Sequence, residues 1–164
     1  QEEAFRVQLA LAKETDRPVV IHSRDAAKDT LRHLEAEGLS GRSVLRPCLR
    51  GDAVDFLDRF LANGWHISIP GPVTYPANHD LREAVKRIPP DRLMVETDCP
   101  YLSPVPWRGK PNAPALVAFT AETVALERGM DPAQLWTLCR DNPRRFFKAH
   151  AQRLSTATPL HKLQ

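Results

Sequence analysis

Residues 93–103 read LMVETDCPYLS. An apolar run, Leu93, Met94 and Val95, ends in Glu96, Thr97 and Asp98, and Pro100 then turns the chain. Residues 17–25, RPVVIHSRD, are built the same way: Val19, Val20 and Ile21 follow Pro18 and end in His22, Ser23 and Arg24. Short continuous apolar runs between amphipathic segments are the mark of parallel strands buried on both faces. Carboxylates directly behind such a strand are costly unless a cation, hydrogen bonds or a catalytic role compensates them. In parallel α/β folds chemistry collects at the C-terminal strand ends, where both stretches place their polar residues.

Working outward, residues 1–16 have apolar positions at near-helical spacing, and residues 26–38 form a second amphipathic helix stopped by Gly38. Residues 42–48, RSVLRPC, read as a weaker strand. Residues 52–64 read as one helix with Asp52 as N-cap and Gly64 as stop, with Phe56, Leu57, Phe60 and Leu61 at core spacing. Residues 65–70, WHISIP, alternate like a strand, with Trp65 in the core, and residues 78–90 form a short helix ended by Pro89. Two helices close the chain, over 112–129 and 131–150, the second capped by Asp131-Pro132 and turning Leu135, Trp136 and Leu138 inward. Arg144 and Arg145 beside Phe146 and Phe147 read as solvated arginines flanking a buried ring. The order is a helix followed by about four strand–helix units. It predicts an α/β fold with a parallel sheet over residues 1–149 and a loose tail over 150–164.

The 164 residues are 42% hydrophobic and 26% charged, which places the chain among globular proteins. No apolar run reaches the roughly 20 residues that cross a bilayer, and none resembles a signal peptide. Cys48, Cys99 and Cys139 are odd in number and widely spaced, so they read as free thiols in a reducing, cytoplasmic setting. A net charge of +3 tolerates a polyanionic partner without demanding one.

His22 alone is as well read as a hydrogen-bonded structural residue, and Asp98 before Cys-Pro as a turn former. Together, behind separate strands, an imidazole and a carboxylate suit a divalent-metal hydrolase, in which the ion activates water.

The stretches QLALAKETDRPVVIHSRDA, WHISIPGPVTY, RLMVETDCPYLSPVPWRGKPNAP and DNPRRFF together resemble the TatD family of metal-dependent deoxyribonucleases, amidohydrolase-like TIM barrels, from Gln1 to about Lys148. The resemblance implies that His22 binds a divalent metal, magnesium, manganese or zinc. It implies that Asp98 binds metal and acts as the base toward the attacking water, with DNA as substrate. It also implies that Arg24, Arg108, Lys110 and Asn112 lie near the phosphate backbone, where arginine suits bidentate contacts and lysine point-charge ones. The family's opening His-x-His strand and its bridging glutamate have no counterpart here. Its His-Cys-Phe-type histidine falls on Pro47 of VLRPCLRG, or on Arg46 if the alignment slips by one; His66 and His79 are poorly placed to replace it. A closed barrel takes about 250 residues and eight strands. The chain therefore reads as the C-terminal half of a TIM barrel, incomplete, and inactive alone. Its open sheet edges invite a missing N-terminal half or a second copy. Two other readings stay open: a non-catalytic nucleic-acid-binding remnant, and a hydrolase of another ester such as D-aminoacyl-tRNA.

Overall fold

Four apolar runs become four short strands, and every connection between them contains a helix. The computed structural model describes the backbone of residues 1–155 and the side chains of residues 1–147. Helix α1 (Glu2–Glu14) precedes β1 (Val19–Val20), α2 (Ala27–Ala36) and β2 (Val44–Arg46). Short helices α3 (Asp52–Asp55) and α4 (Leu57–Ala62) lead to β3 (His66–Ile69), then α5 (His79–Arg87) leads to β4 (Leu93–Val95). Helices α6 (Val117–Glu127) and α7 (Pro132–Ser155) follow.

The strands pair in sequence order, all parallel. Among the described residues the sheet does not close on itself, so the outer edges of β1 and β4 have no strand partner there. This is the parallel sheet that the strand–helix repeat predicts, open as the resemblance to half of a barrel implies. Of the tail expected over 150–164, helix α7 takes residues up to Ser155, and the remainder lies outside the described residues.

Period-two alternation gives each strand two faces. Val19, Val44, Ile67, Ile69 and Leu93 face the helices and join the main core with Leu31, Leu57, Phe60, Trp65 and Val85. The pairings Val20↔Leu45, Leu45↔His66 and Ser68↔Met94 mark the opposite face. Phe146 of α7 covers that face, packing with Leu45 and Met94 and meeting the His66 ring edge-on at 4.9 Å between centroids. Val20, on the same face, is 52% exposed.

Three local expectations need correction. Residues 52–64 are two helices, because the backbone bends at Phe56 (φ −100°, ψ 6°). Asp52 does not cap its own helix: its Oδ2 accepts from the Ala27 backbone N–H at 2.8 Å, so it serves the start of α2, one unit earlier in the chain. Trp136 is 40% exposed while Leu135 takes the buried position, which displaces the expected inner face by one residue. Other signals hold as read. Gly38 and Gly64, at φ 68° and 78°, end their helices in the left-handed region. Asp131 Oδ1 accepts from the Ala133 and Gln134 amides at 2.9 and 3.2 Å, capping α7. Phe146 is buried and Phe147 exposed.

Asn142 fastens α7 to the last strand. Its fully buried side chain donates from Nδ2 to Pro90 O at 2.7 Å and to Leu93 O at 2.6 Å, and its Oδ1 accepts from Arg145. Asn142→Ala strands two carbonyls without a donor, and each such loss costs about 1–3 kcal/mol. Urea unfolding is expected to register a loss of about 2–4 kcal/mol. An unchanged midpoint would mean that α7 is held by apolar packing alone.

Candidate active site

The bends that follow the strands bring separate chain segments to one cleft of about 500 Å³. His22, Ser23, Arg24 and Asp25 come from the end of β1. Arg46, Cys48, Arg50, Gly51 and Asp52 come from the end of β2, and Pro72, Tyr75 and Asn78 from the loop after β3. Asp98 and Leu102 come from the loop after β4. The sheet curves enough that β1 and β4, its two outer strands, send residues to a common space.

The backbone around this space is unusual. Among the described residues, five non-glycine residues have φ between 50° and 58°, and four of them, Asp25, Cys48, Asp98 and Leu102, line the cleft. The left-handed region costs an L-residue roughly 1–2 kcal/mol, least for Asp. Such conformations persist where surrounding structure enforces them, and they gather at functional sites.

The end of β4 is held in detail. Glu96 N–H donates to Ile69 O at 3.0 Å, continuing the ladder past the strand. Burial pushes the Glu96 carboxyl above its ordinary range, partly offset by hydrogen bonds from the Ser68 hydroxyl and the Cys48 backbone amide. Glu96 therefore ties three strand ends together. Asp98, two residues on, is exposed in the cleft. The Cys48 thiol is pushed up to about 11, first by burial and then by Glu96, which makes it a poor nucleophile. All three cysteines are free.

The structure brings together three of the residues singled out from the sequence, His22, Arg24 and Asp98. The other three lie elsewhere. The Arg108 guanidinium stacks 4.5 Å over the Tyr75 ring, at the cleft's edge because Tyr75 lines it. Lys110 Nζ sits 5.1 Å over the exposed Trp107 ring. Asn112 is buried, and its amide is consumed by the loop: Nδ2 donates to Thr97 O at 2.8 Å and Tyr101 O at 2.6 Å, and Oδ1 accepts from Ala113 N–H at 2.9 Å. Asn112 thus braces the Asp98 loop instead of facing the cleft. Sequence reading missed Ser23, Arg46, Arg50 and Asp52 as cleft residues. The one available signal was the charge of Arg46 inside the apolar run of β2.

Among the described residues, no three His, Cys, Asp or Glu side chains converge as a metal site. His22 and Asp98 are the donor types a hydrolytic metal uses, but two donors do not fit a closed site. No described helix is long and apolar enough to cross a membrane.

A family model described as TatD related DNase matches residues 1–148. An uncharacterized metal-dependent hydrolase of Bacillus subtilis, YabD, is 38% identical over 148 residues, covering 90% of this chain and 58% of its own length. A 3'-5' ssDNA/RNA exonuclease of Rahnella is 41% identical over 160 residues, covering 93% of this chain and 60% of its own length. The crystal structure of YJJV, a TatD homologue from Escherichia coli, superposes with a TM-score of 0.78 at 28% identity, over 86% of this chain and 54% of that one. The chain thus spans less than two thirds of the length of these relatives.

Proposed function

The chain belongs to the TatD family of metal-dependent hydrolases, and from that membership we propose that its cleft handles the phosphodiester backbone of DNA. The observation that carries this is the convergence of His22, Arg24 and Asp98 on one cleft from the two outer strands. The name of the Rahnella relative, a nuclease of single strands, supports the same substrate class.

Within this reading each residue has a task. Asp98, exposed on a left-handed turn, orients the attacking water and takes its proton. Arg24 contacts a phosphate within the cleft, and Arg108, held on Tyr75, contacts the next at its edge. His22 faces the same space as Asp98 and completes the polar wall. A divalent metal, magnesium, manganese or zinc, would polarise the phosphate in such a site. The described residues offer two donors to it, so the further ligands belong to the part of the longer relatives that this chain does not span. On this reading the open edge of β1 is where further strands would pair.

The test compares the 164-residue chain with a fusion carrying, in front of it, the part of the Rahnella exonuclease that the match leaves out. Single-stranded DNA is supplied with magnesium or manganese. The fusion is expected to cleave and the chain alone to stay at background. Asp98→Ala in the fusion should slow cleavage by about 10²–10⁴-fold, the contribution of a positioned base. A fusion that folds and cleaves equally well without Asp98 would overturn the assignment.

A further inference from the structure

Arg46 is a buried cation that makes no ion pair among the described residues. It is 3% exposed and borders the cleft. Its Nη1 donates to Pro47 O at 3.0 Å and to Ile21 O at 3.4 Å, and its Nη2 donates to Ser23 O at 2.7 Å, so three carbonyls hold the guanidinium in place. Its Nε has no partner, and among the described residues no carboxylate lies within the 4.0 Å of an ion pair. An arginine stays charged even in such surroundings, and an unpaired buried charge is strongly unfavourable.

The neighbourhood repeats the pattern. Ser23, whose carbonyl holds Arg46, has a buried hydroxyl that also lacks a partner. The Arg50 side chain, exposed at the cleft's rim, makes no ion pair or hydrogen bond among the described residues. Arg24 has only Asp25, at 3.5 Å, with both side chains largely in solvent. The acids nearby act on Arg46 only from a distance: Asp52, whose carboxylate accepts from the Ala27 amide, and Glu96 both favour its charge without forming an ion pair with it. Asp98 stands on the opposite wall.

We propose that Arg46 and Ser23 form the floor, and Arg24 and Arg50 the rim, of a subsite that binds a phosphate oxyanion directly, with no metal ion between. The carbonyl cradle fixes the positive charge of Arg46 beneath the cleft, and the two exposed guanidinia supply bidentate contacts from above. At the point where the family resemblance expects a metal-binding histidine, this chain has Pro47, and the residue before it brings a cation of the protein's own. The subsite deepens the phosphodiester reading but does not depend on turnover.

The test is a titration of the 164-residue chain with inorganic phosphate, followed by phosphorus NMR in EDTA at constant ionic strength. Saturable binding is expected, together with a phosphate-dependent rise in melting temperature, since a ligand held only by the folded state stabilises it. Arg46→Met should weaken binding by about tenfold or more, the loss of one charge-assisted contact. Because that substitution also removes three hydrogen bonds, Arg50→Ala is measured beside it; its exposed side chain has no partner among the described residues, and its loss should weaken binding several-fold in a protein that melts normally. No saturable binding in EDTA, or binding unaltered in Arg50→Ala and in a folded Arg46→Met, would overturn the proposal. A fusion that cleaves DNA while the chain ignores phosphate in EDTA would overturn the subsite alone. Phosphate binding by the chain, with no cleavage by a folded fusion, would support the subsite and count against the hydrolase reading.

Discussion

Trp65→Ala is expected to cost about 3–5 kcal/mol, the range for emptying a large aromatic site in a core. Trp65 is fully buried at the entry to β3, where it packs against Phe60 with centroids 6.0 Å apart. Its Nε1 donates to Leu39 O at 3.0 Å, joining the end of the first strand–helix unit to the start of the third. Alanine removes the ring, while the Leu39 carbonyl keeps the Arg42 N–H that donates to it at 3.0 Å, so the emptied site sets the cost. Domains of this size have about 5–15 kcal/mol of stability in all, and each kcal/mol moves the melting temperature by about 2–4 °C. Calorimetry should show a fall of roughly 6–20 °C. Trp65→Phe, which keeps most of the volume, should recover more than half of it. A fall of a degree or two in the alanine variant would mean that the core collapses around the gap.

Gly71→Ala is expected to damage the cleft more than the fold. A Cβ on Gly71 would stand 2.3 Å from Leu102 O and 3.2 Å from Pro104 N, both backbone atoms that no rotamer change can move. The loop after β4 has to retreat, and it carries Asp98 and Leu102 into the cleft. That loop is also tied to its neighbours by Tyr75 Oη, which donates to Ser103 O at 2.8 Å, and by Val105 N–H, which donates to Thr74 Oγ1 at 2.8 Å. Overpacking of this kind costs about 1–3 kcal/mol, occasionally more. The variant should therefore stay folded at 25 °C. Misplacing catalytic groups by about an ångström costs on the order of a hundredfold in rate, so activity in the fused enzyme should fall by about that factor. Wild-type activity in a folded Gly71→Ala would mean that the Asp98 loop is free to move without consequence.

The sequence is informative about this fold because its strands are apolar runs with short polar endings. The parallel order, the helix stops at Gly38 and Gly64 and the cap at Asp131 all follow from local chemistry that needs no tertiary partner. What failed to show was set by contacts distant in the chain. Asp52 looks like the cap of the helix it begins, but the Ala27 amide that it accepts from lies 25 positions away. Trp136 and Leu135 are adjacent and both apolar, and packing alone decides which of them turns inward. The site divides the same way. His22 and Asp98 were visible because each follows a strand directly. Asn112 was visible only as a polar loop residue, and nothing local shows that its amide is spent on Thr97 and Tyr101. Arg46 was least legible, since a charge within a strand has no meaning until the Ile21, Ser23 and Pro47 carbonyls around it are known.

The ends of β1, β2 and β4 line one cleft, to which the proposed function gives the handling of phosphate. The most direct measurement is the change in backbone amide NMR shifts when a short single-stranded oligonucleotide is added to the 164-residue chain without metal. The largest changes are expected on residues 22–25, 48–51 and 98–102, and they should fade as salt is raised, as phosphate contacts require. Changes confined to α1 or the exposed face of α6, with the cleft silent, would contradict that function.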